Sequence, residues 1–74
     1  MNKLLEEIKK INNIGSVIEL NNSIVVTDGK SYTVSITNDY DDLYCVDCNC
    51  NGYLTLSDNK NLNTVLRILN SILE

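Results

Sequence analysis

Three cysteines near the middle of the chain come closest to the spacing of a known chemical motif. Cys45, Cys48 and Cys50 form C-x-x-C-x-C, whose first pair has zinc-knuckle spacing, with Asp47 as a candidate further ligand. Structural zinc usually takes four cysteine or histidine ligands, and the chain has three cysteines and no histidine. In a strand, Cys45 and Cys48 would also point to opposite faces. We therefore expect three free thiols and neither metal nor cofactor; a metal- or redox-responsive cysteine module is an alternative.

Catalytic motifs are otherwise scarce. The chain has no histidine to act as a general base or to activate a serine or cysteine nucleophile. Its three glycines stand far apart and form no phosphate-binding loop. Asp41 and Asp42 are paired carboxyls, but a hydrolytic pair must face across a cleft, and neighbours in a loop are more often solvated. We expect a protein that is not an enzyme.

The acidic segment 38–47 is the strongest candidate for a binding site. Lys30 and Lys60 bracket a stretch that contains no basic residue and all four tyrosines. Clustered carboxylates steer toward lysine- and arginine-rich surfaces, and tyrosine is enriched at interface hot spots. The residues predicted to bind a basic protein surface are Asp39, Tyr40, Asp41, Asp42, Tyr44, Asp47 and Tyr53. The alternative is a solvated acidic loop, with Tyr44 in the core.

Length and charge narrow the class of protein. The chain has 74 residues and a net charge of -4, which indicates one domain and argues against direct binding of nucleic acid. No apolar run approaches the roughly 20 residues that span a bilayer, and the N-terminus lacks the apolar stretch of a signal peptide. We expect a cytoplasmic protein without membrane contact. Because so short a chain buries only about 60% of its unfolded surface, a small homodimeric structural or chaperone-like subunit is a further alternative.

Two helices and about five strands are predicted to position these residues. Apolar residues at three- and four-residue steps predict helices over 2–13 and 60–73, the second capped by Asp58-Asn59. Alternating and β-branched runs predict strands at about 16–20, 23–27, 30–37, 43–48 and 53–57. The dipeptide Asp28-Gly29 suits a type I′ turn. We predict a single α+β domain over 1–74, an antiparallel meander with both helices packed on one face.

The other face of this sheet is predicted to be rich in hydroxyl groups. Alternation over 30–37 assigns Tyr32, Val34 and Ile36 to the buried face. The exposed face would carry Ser31, Thr33, Ser35, Thr37, Thr55 and Ser57, with Tyr53 among them. This face is a second candidate binding surface.

The chain resembles the small phage-encoded anti-CRISPR proteins in size, acidity, lack of catalytic motifs and an asparagine-, isoleucine- and lysine-rich composition typical of AT-rich genomes. Many of those proteins occupy the DNA-binding groove of a nuclease or surveillance complex. The resemblance implies an inhibitor of a CRISPR effector or another nucleic-acid enzyme, acting in the host bacterial cell. It assigns no residue a role, because the family shares no motif.

The helix-strands-helix order is also that of the double-stranded-RNA-binding domain. That family has a basic start of its second helix, whereas here Lys60 alone supplies positive charge at this position. The sequence therefore does not match this family.

Overall fold

A five-stranded antiparallel sheet and two helices make up the described part of the chain. The computed structural model describes residues 2–11 and 14–73. The elements are α1 (Asn2–Lys9), β1 (Ser16–Glu19), β2 (Ser23–Thr27), β3 (Tyr32–Tyr40), β4 (Leu43–Cys50), β5 (Tyr53–Lys60) and α2 (Leu62–Leu73). The spatial order β1-β2-β3-β4-β5 confirms the predicted meander and leaves β1 and β5 as edge strands. Positions 12 and 13, the end of the predicted first helix, lie outside the described residues.

One hydrophobic cluster joins the helices to the sheet. Side chains within the strands alternate between buried and more exposed positions, as a period of two requires. In β3 the buried residues are Tyr32, Val34 and Ile36, as predicted, while Thr33 and Thr37 are exposed. The largest fully buried side chains of the cluster are Leu4, Ile8, Ile24, Val26, Val34, Ile36, Val46, Val65 and Leu69. The apolar stripes of both helices thus contribute to the core.

We call the sheet face that carries these buried residues the inner face, and the other the outer face. Strand register defines the outer face as rows of side chains that cross the sheet. One row contains Ile18, Val25, Ser35, Asp47 and Leu56. The rows on either side of it contain Ser16, Thr27, Thr33, Asn49 and Leu54, and Ser23, Thr37 and Cys45.

The turn between β4 and β5 is tighter than predicted. β4 continues to Cys50, so only Asn51 and Gly52 connect it to Tyr53. Their φ angles are 53° and 87°, and two positive φ angles in a two-residue loop are the requirement of a type I′ hairpin. The turn therefore pairs Cys50 directly with Tyr53.

This turn reverses the face assignment predicted for β5, which was wrong. Tyr53, Thr55 and Ser57 lie on the inner face, since they pair with inner-face residues of β4. Leu54 and Leu56 consequently lie on the outer face, where they are 73% and 65% exposed. The hydroxyl groups of β3 do lie on the outer face, but those of β5 do not.

The start of α2 also differs from the prediction. β5 extends to Lys60 through a bulge, at which Asn59 has a φ of 55°. The side chain of Asn61 then accepts a hydrogen bond of 2.9 Å from the backbone N–H of Thr64, which is the contact of an N-cap. Asp58 and Asn59, predicted as caps, are strand residues because the cap lies further along the chain.

The connection between β2 and β3 is organised by the Asp28 carboxylate. Its Oδ1 accepts hydrogen bonds from the backbone N–H groups of Lys30 and Ser31, both at 2.8 Å, and of Tyr32 at 3.2 Å. Its Oδ2 accepts the Ser31 hydroxyl at 2.7 Å. Only Gly29 of the Asp28-Gly29 pair has a positive φ, so the predicted type I′ turn was wrong. These hydrogen bonds, led by that of the Ser31 hydroxyl, hold the pKa of Asp28 well below its ordinary value of 3.8.

We predict that Asp28 makes the free energy of unfolding depend on pH. A depressed pKa in the folded state gives stabilisation that is present above the unfolded value and is lost as the pH falls toward the folded one. Asp28→Asn keeps an acceptor oxygen but no charge, so the difference in stability between wild type and variant should be full near about pH 6 and shrink steadily as the pH falls below about 4. Urea unfolding across this range measures the difference. A difference that stays constant would contradict the prediction.

Gly15 allows the segment before β1 to lie against the end of β2. A Cβ at this position would overlap the Thr27 carbonyl oxygen and lie 2.8 Å from Asp28 Cα. The backbone N–H of Gly15 also donates a hydrogen bond of 3.1 Å to the buried Tyr32 hydroxyl. The close approach therefore requires a residue without a side chain.

Gly15→Ala should lower the free energy of unfolding by about 1–3 kcal/mol, because the backbone must move to admit a methyl group. Gly29→Asn is the control, since no atom lies within 4 Å of a Cβ there and asparagine tolerates a positive φ. Urea unfolding followed by circular dichroism compares the two variants. Equal stability of Gly15→Ala and wild type would show that the contact relaxes without cost.

Candidate functional site

Four of the residues predicted to bind a partner lie together around the turn between β3 and β4. All four are exposed: Asp39, Tyr40, Asp41 and Asp42. Asp41 has a φ of 51°, a conformation that aspartate adopts more readily than most residues. The side-chain amide of Asn38 donates hydrogen bonds of 3.2 Å to the carbonyl oxygens of Asp41 and Leu43, which hold the turn. The turn presents three carboxylates and a phenol ring at one end of the sheet.

The other three predicted residues are separated by the fold. Tyr44 is only 8% exposed and belongs to the hydrophobic core, so it is not available to a partner. Tyr53 is exposed, but it begins β5 at the far end of the β4–β5 hairpin and lies on the inner face. Asp47 is exposed on the outer face, opposite Ser35 and Leu56. The period of two explains this separation, since Tyr44 and Asp47 lie an odd number of residues apart.

An acidic group surrounds Cys45 on the outer face. The Cys45 thiol donates a hydrogen bond of 3.1 Å to Oδ1 of Asp58. This hydrogen bond, desolvation, and the negative charges of Asp58, Asp39 and Asp47 raise the pKa of Cys45. Asp58 contacts the thiol directly, and Asp47 lies two residues from Cys45 on the same face of β4. Two of the three aspartates, Asp39 and Asp47, were predicted as binding residues.

Asp58 is the residue that the sequence prediction missed. The register of a two-residue hairpin predicts its position, since a turn that pairs positions 50 and 53 brings position 58 opposite Cys45. The Asn51-Gly52 dipeptide is the signal for such a turn. The prediction instead placed the turn over 49–52 and left Asp58 to the helix.

Lysines lie near the β3–β4 turn, although not on the outer face. Lys60 pairs with the inner-face residue Tyr44, and Lys3 lines a cleft of about 410 Å³ with Asp42 and Tyr44. Residues 31–59 contain no basic residue, but in the folded chain lysines from outside this segment lie near its β3–β4 turn. By register, the described rows of the outer face contain no lysine or arginine. Within residues 2–11 and 14–73, the ion pair found joins Glu7 of α1 and Lys10, just past the end of this helix, and involves none of these aspartates.

The three cysteines lie on both faces of the sheet. Cys45 is on the outer face and Cys48 and Cys50 are on the inner face, which confirms the predicted divergence of Cys45 and Cys48. All three are free thiols. In the described part of the chain, no three histidine, cysteine, aspartate or glutamate side chains are arranged to hold a metal ion.

A groove of about 400 Å³ lies between α2 and the β4–β5 hairpin. The residues that line it are Cys48, Cys50, Tyr53, Thr55, Arg67, Ile68, Ser71 and Ile72. Desolvation is the main cause that raises the pKa of Cys48. A thiol with a raised pKa holds less of the nucleophilic thiolate, so Cys48 is not activated for catalysis.

No protein-family model, curated protein or solved structure matches this chain. Neither of the two described helices has the length and hydrophobicity of a membrane-spanning segment.

We predict that Asp58 controls the reactivity of Cys45. Removal of the carboxylate in Asp58→Asn should lower the pKa of Cys45 and raise its thiolate fraction at a given pH, so iodoacetamide should alkylate Cys45 faster. Peptide mass spectrometry distinguishes Cys45 from the other two thiols. Asp42→Asn is the control with the same charge change away from the thiol. An unchanged alkylation rate in Asp58→Asn would show that the hydrogen bond does not govern the thiol.

Proposed function

We propose that this protein is a non-enzymatic binding protein whose acidic surface engages a basic surface of another protein. The acidic surface consists of Asp39, Asp41, Asp42, Asp47 and Asp58. The observation that carries the proposal is the setting of Cys45, which donates a hydrogen bond to Asp58 and shares with Asp47 a sheet face whose described rows contain no lysine or arginine. The negative charge of Asp39 also acts on this thiol. Asp41 and Asp42 extend the same negative region to the end of the sheet.

In the proposed arrangement both helices lie on the inner face, as the sequence predicts. In support of this arrangement, Leu4 of α1 and Val65 and Leu69 of α2 belong to the same buried cluster as Val34 and Val46 of the sheet. The outer face is then open to a partner over its whole width. The exposure of its polar side chains, such as Thr33 and Asp47, is consistent with this arrangement.

Electrostatic attraction would bring the two proteins together. Carboxylates on a sheet face whose described rows contain no lysine or arginine produce a negative potential that speeds encounter with a cationic surface, and the effect weakens with salt. Tyr40, which is 55% exposed beside these carboxylates, supplies a rigid ring of the kind that anchors interfaces. The hydroxyl groups of Thr33, Ser35 and Thr37 add hydrogen-bonding groups to the same face.

The cationic grooves of nucleic-acid enzymes are the partners that this chemistry fits best. Such grooves bind phosphates through lysine and arginine, and carboxylates on a rigid sheet compete for the same side chains. The resemblance to small phage-encoded anti-CRISPR proteins favours a CRISPR effector or another enzyme of bacterial defence as the target, in the cytoplasm of the host. The lack of histidine and the raised pKa values of Cys45 and Cys48 favour binding over catalysis.

Neutralisation of the acidic turn is expected to slow association. The triple variant Asp39→Asn, Asp41→Asn, Asp42→Asn should bind an immobilised lysine- and arginine-rich peptide with an association rate constant about tenfold lower at low salt. The difference should shrink as salt is added, because the steering is electrostatic. Biolayer interferometry measures the rates, and double-stranded DNA should compete with the wild-type protein for the peptide.

A matched control removes the same charge elsewhere. The variant Glu6→Gln, Glu7→Gln, Glu19→Gln changes three carboxylates on α1 and β1 and should associate nearly as fast as the wild type. If both triple variants slow association equally, net charge alone attracts the peptide and the acidic surface has no special role. An unchanged rate in the aspartate variant at low salt would eliminate this surface as the contact.

A further inference from the structure

The edge strand β5 exposes apolar side chains where edge strands usually carry protection. Residues 53–57 contain no charged residue and no proline, and the bulge that disturbs β5 lies beyond them. Leu54 and Leu56 are exposed, and so is Tyr53 on the other face. Natural sheets normally guard such edges with lysine, proline or a bulge, because an open flat edge pairs readily with another strand. This stretch of β5 has the properties of a strand that pairs.

The tight β4–β5 turn determines which backbone groups face the open edge. In a two-residue hairpin the closing pair, here Cys50 and Tyr53, exchanges backbone hydrogen bonds, and every second pair repeats this. The N–H and C=O groups of Tyr53, Thr55 and Ser57 are therefore directed toward β4. Those of Leu54 and Leu56 are directed away from the sheet, so the two exposed leucines also carry the backbone groups available to a new strand.

We propose that β5 pairs antiparallel with β5 of a second copy of this chain, which joins two sheets into one of ten strands. In the pairing with a two-fold axis at Thr55, the backbone groups of Leu54 meet those of Leu56 of the second copy, and the reverse. Four leucine side chains then form one apolar cluster on the outer face. On the inner face Tyr53 lies opposite Ser57 of the second copy. The pairing is isologous and closes at two copies.

Charge repulsion between two copies is small in this orientation. Across the outer face, the row through the interface reads Asp47, Leu56, then Leu54 and Asn49 of the second copy. The two Asp47 side chains are separated by three strand spacings, roughly 14 Å, which exceeds the screening length of about 8 Å at physiological salt. The antiparallel arrangement also places the two β3–β4 turns, with Asp41 and Asp42, at opposite ends of the joined sheet.

The small size of the domain and the properties of the other edge strand, β1, also favour a second copy as the partner of β5. A domain of 74 residues gains stability from oligomerisation, since its own core is small. The other edge strand, β1, has only four residues and includes the exposed charge of Glu19, so it offers a poorer template. Pairing through β5 alone yields a dimer and not a fibre. This inference does not depend on the proposed function.

Analytical ultracentrifugation of the full chain should detect a reversible dimer over a range from about 1 µM to about 1 mM, which spans the affinities of weak to moderate interfaces. The variant Leu54→Glu, Leu56→Glu places like charges opposite each other at both leucine pairs and should raise the dimer dissociation constant at least about tenfold. The matched control, Ile18→Glu with Leu20→Glu, changes the exposed apolar residues at the other edge and should dimerise like the wild type. Circular dichroism checks that each variant is folded.

A charge-reversal variant tests the register itself. In Leu54→Glu, Leu56→Lys, each new carboxylate faces the new ammonium group at position 56 of the second copy, so dimerisation should be stronger than in the double glutamate variant. A two-fold axis at position 54 or 56 would instead place like charges opposite each other and give no recovery.

Several outcomes would overturn the proposal. A wild-type chain that stays monomeric over the whole range excludes the dimer, and a monomer that instead takes up an extended peptide along β5 assigns the edge to a different occupant. A dimer unaffected by Leu54→Glu, Leu56→Glu, or lost equally in the β1 control, forms elsewhere. Assemblies larger than two copies would contradict an interface closed at β5.

Discussion

The tight turn at Asn51 and Gly52 is the constraint on which both surfaces of this protein depend. Two positive φ angles in a two-residue loop allow one pairing, that of Cys50 with Tyr53. From this pairing, a period of two decides the face of every residue in β5. A turn longer by one residue would bury the leucines and move the hydroxyl groups outward. It would also take Asp58 away from Cys45.

The core explains why the chain can leave Leu54 and Leu56 exposed. Buried residues of β2, β3, β4 and both helices form one cluster, while Tyr53 and Thr55 of β5 are aromatic or polar and border the groove beside α2. β5 therefore contributes little apolar area to the core and is held mainly by its ladder with β4. The apolar residues of β5 can therefore lie on the outer face without loss of apolar packing in the core. The cost is an exposed apolar edge, which favours contact with another molecule.

Element types were predictable from the sequence because each depends on a local pattern. The alternation around Tyr32, Val34 and Ile36 and the stripe through Val65 and Leu69 are direct consequences of strand and helix geometry. The predicted face assignment in β5 was wrong, because it depends on the length of a turn and a shift of one residue reverses it. The same error in the length of the β4–β5 turn left Asp58 out of the predicted site. Tyr44 shows a second limit of the prediction. Alternation along β4 directs every second side chain into the core whatever its chemistry, and Tyr44 is one of these residues.

The two proposed surfaces share the outer face without competing for the same residues. Asp58 lies beside Cys45 past the regular part of the β4–β5 ladder, whereas Asp47 lies opposite Leu56 in one cross-strand row, before the bulge at Asn59. In a dimer the leucines would lie between two acidic surfaces directed to the same side of one sheet. Two linked sites bind an extended or repeated basic partner more tightly than one, because the second contact forms at a high effective concentration. The leucines suited to self-pairing therefore border the acidic surface directly, with Asp47 at the boundary.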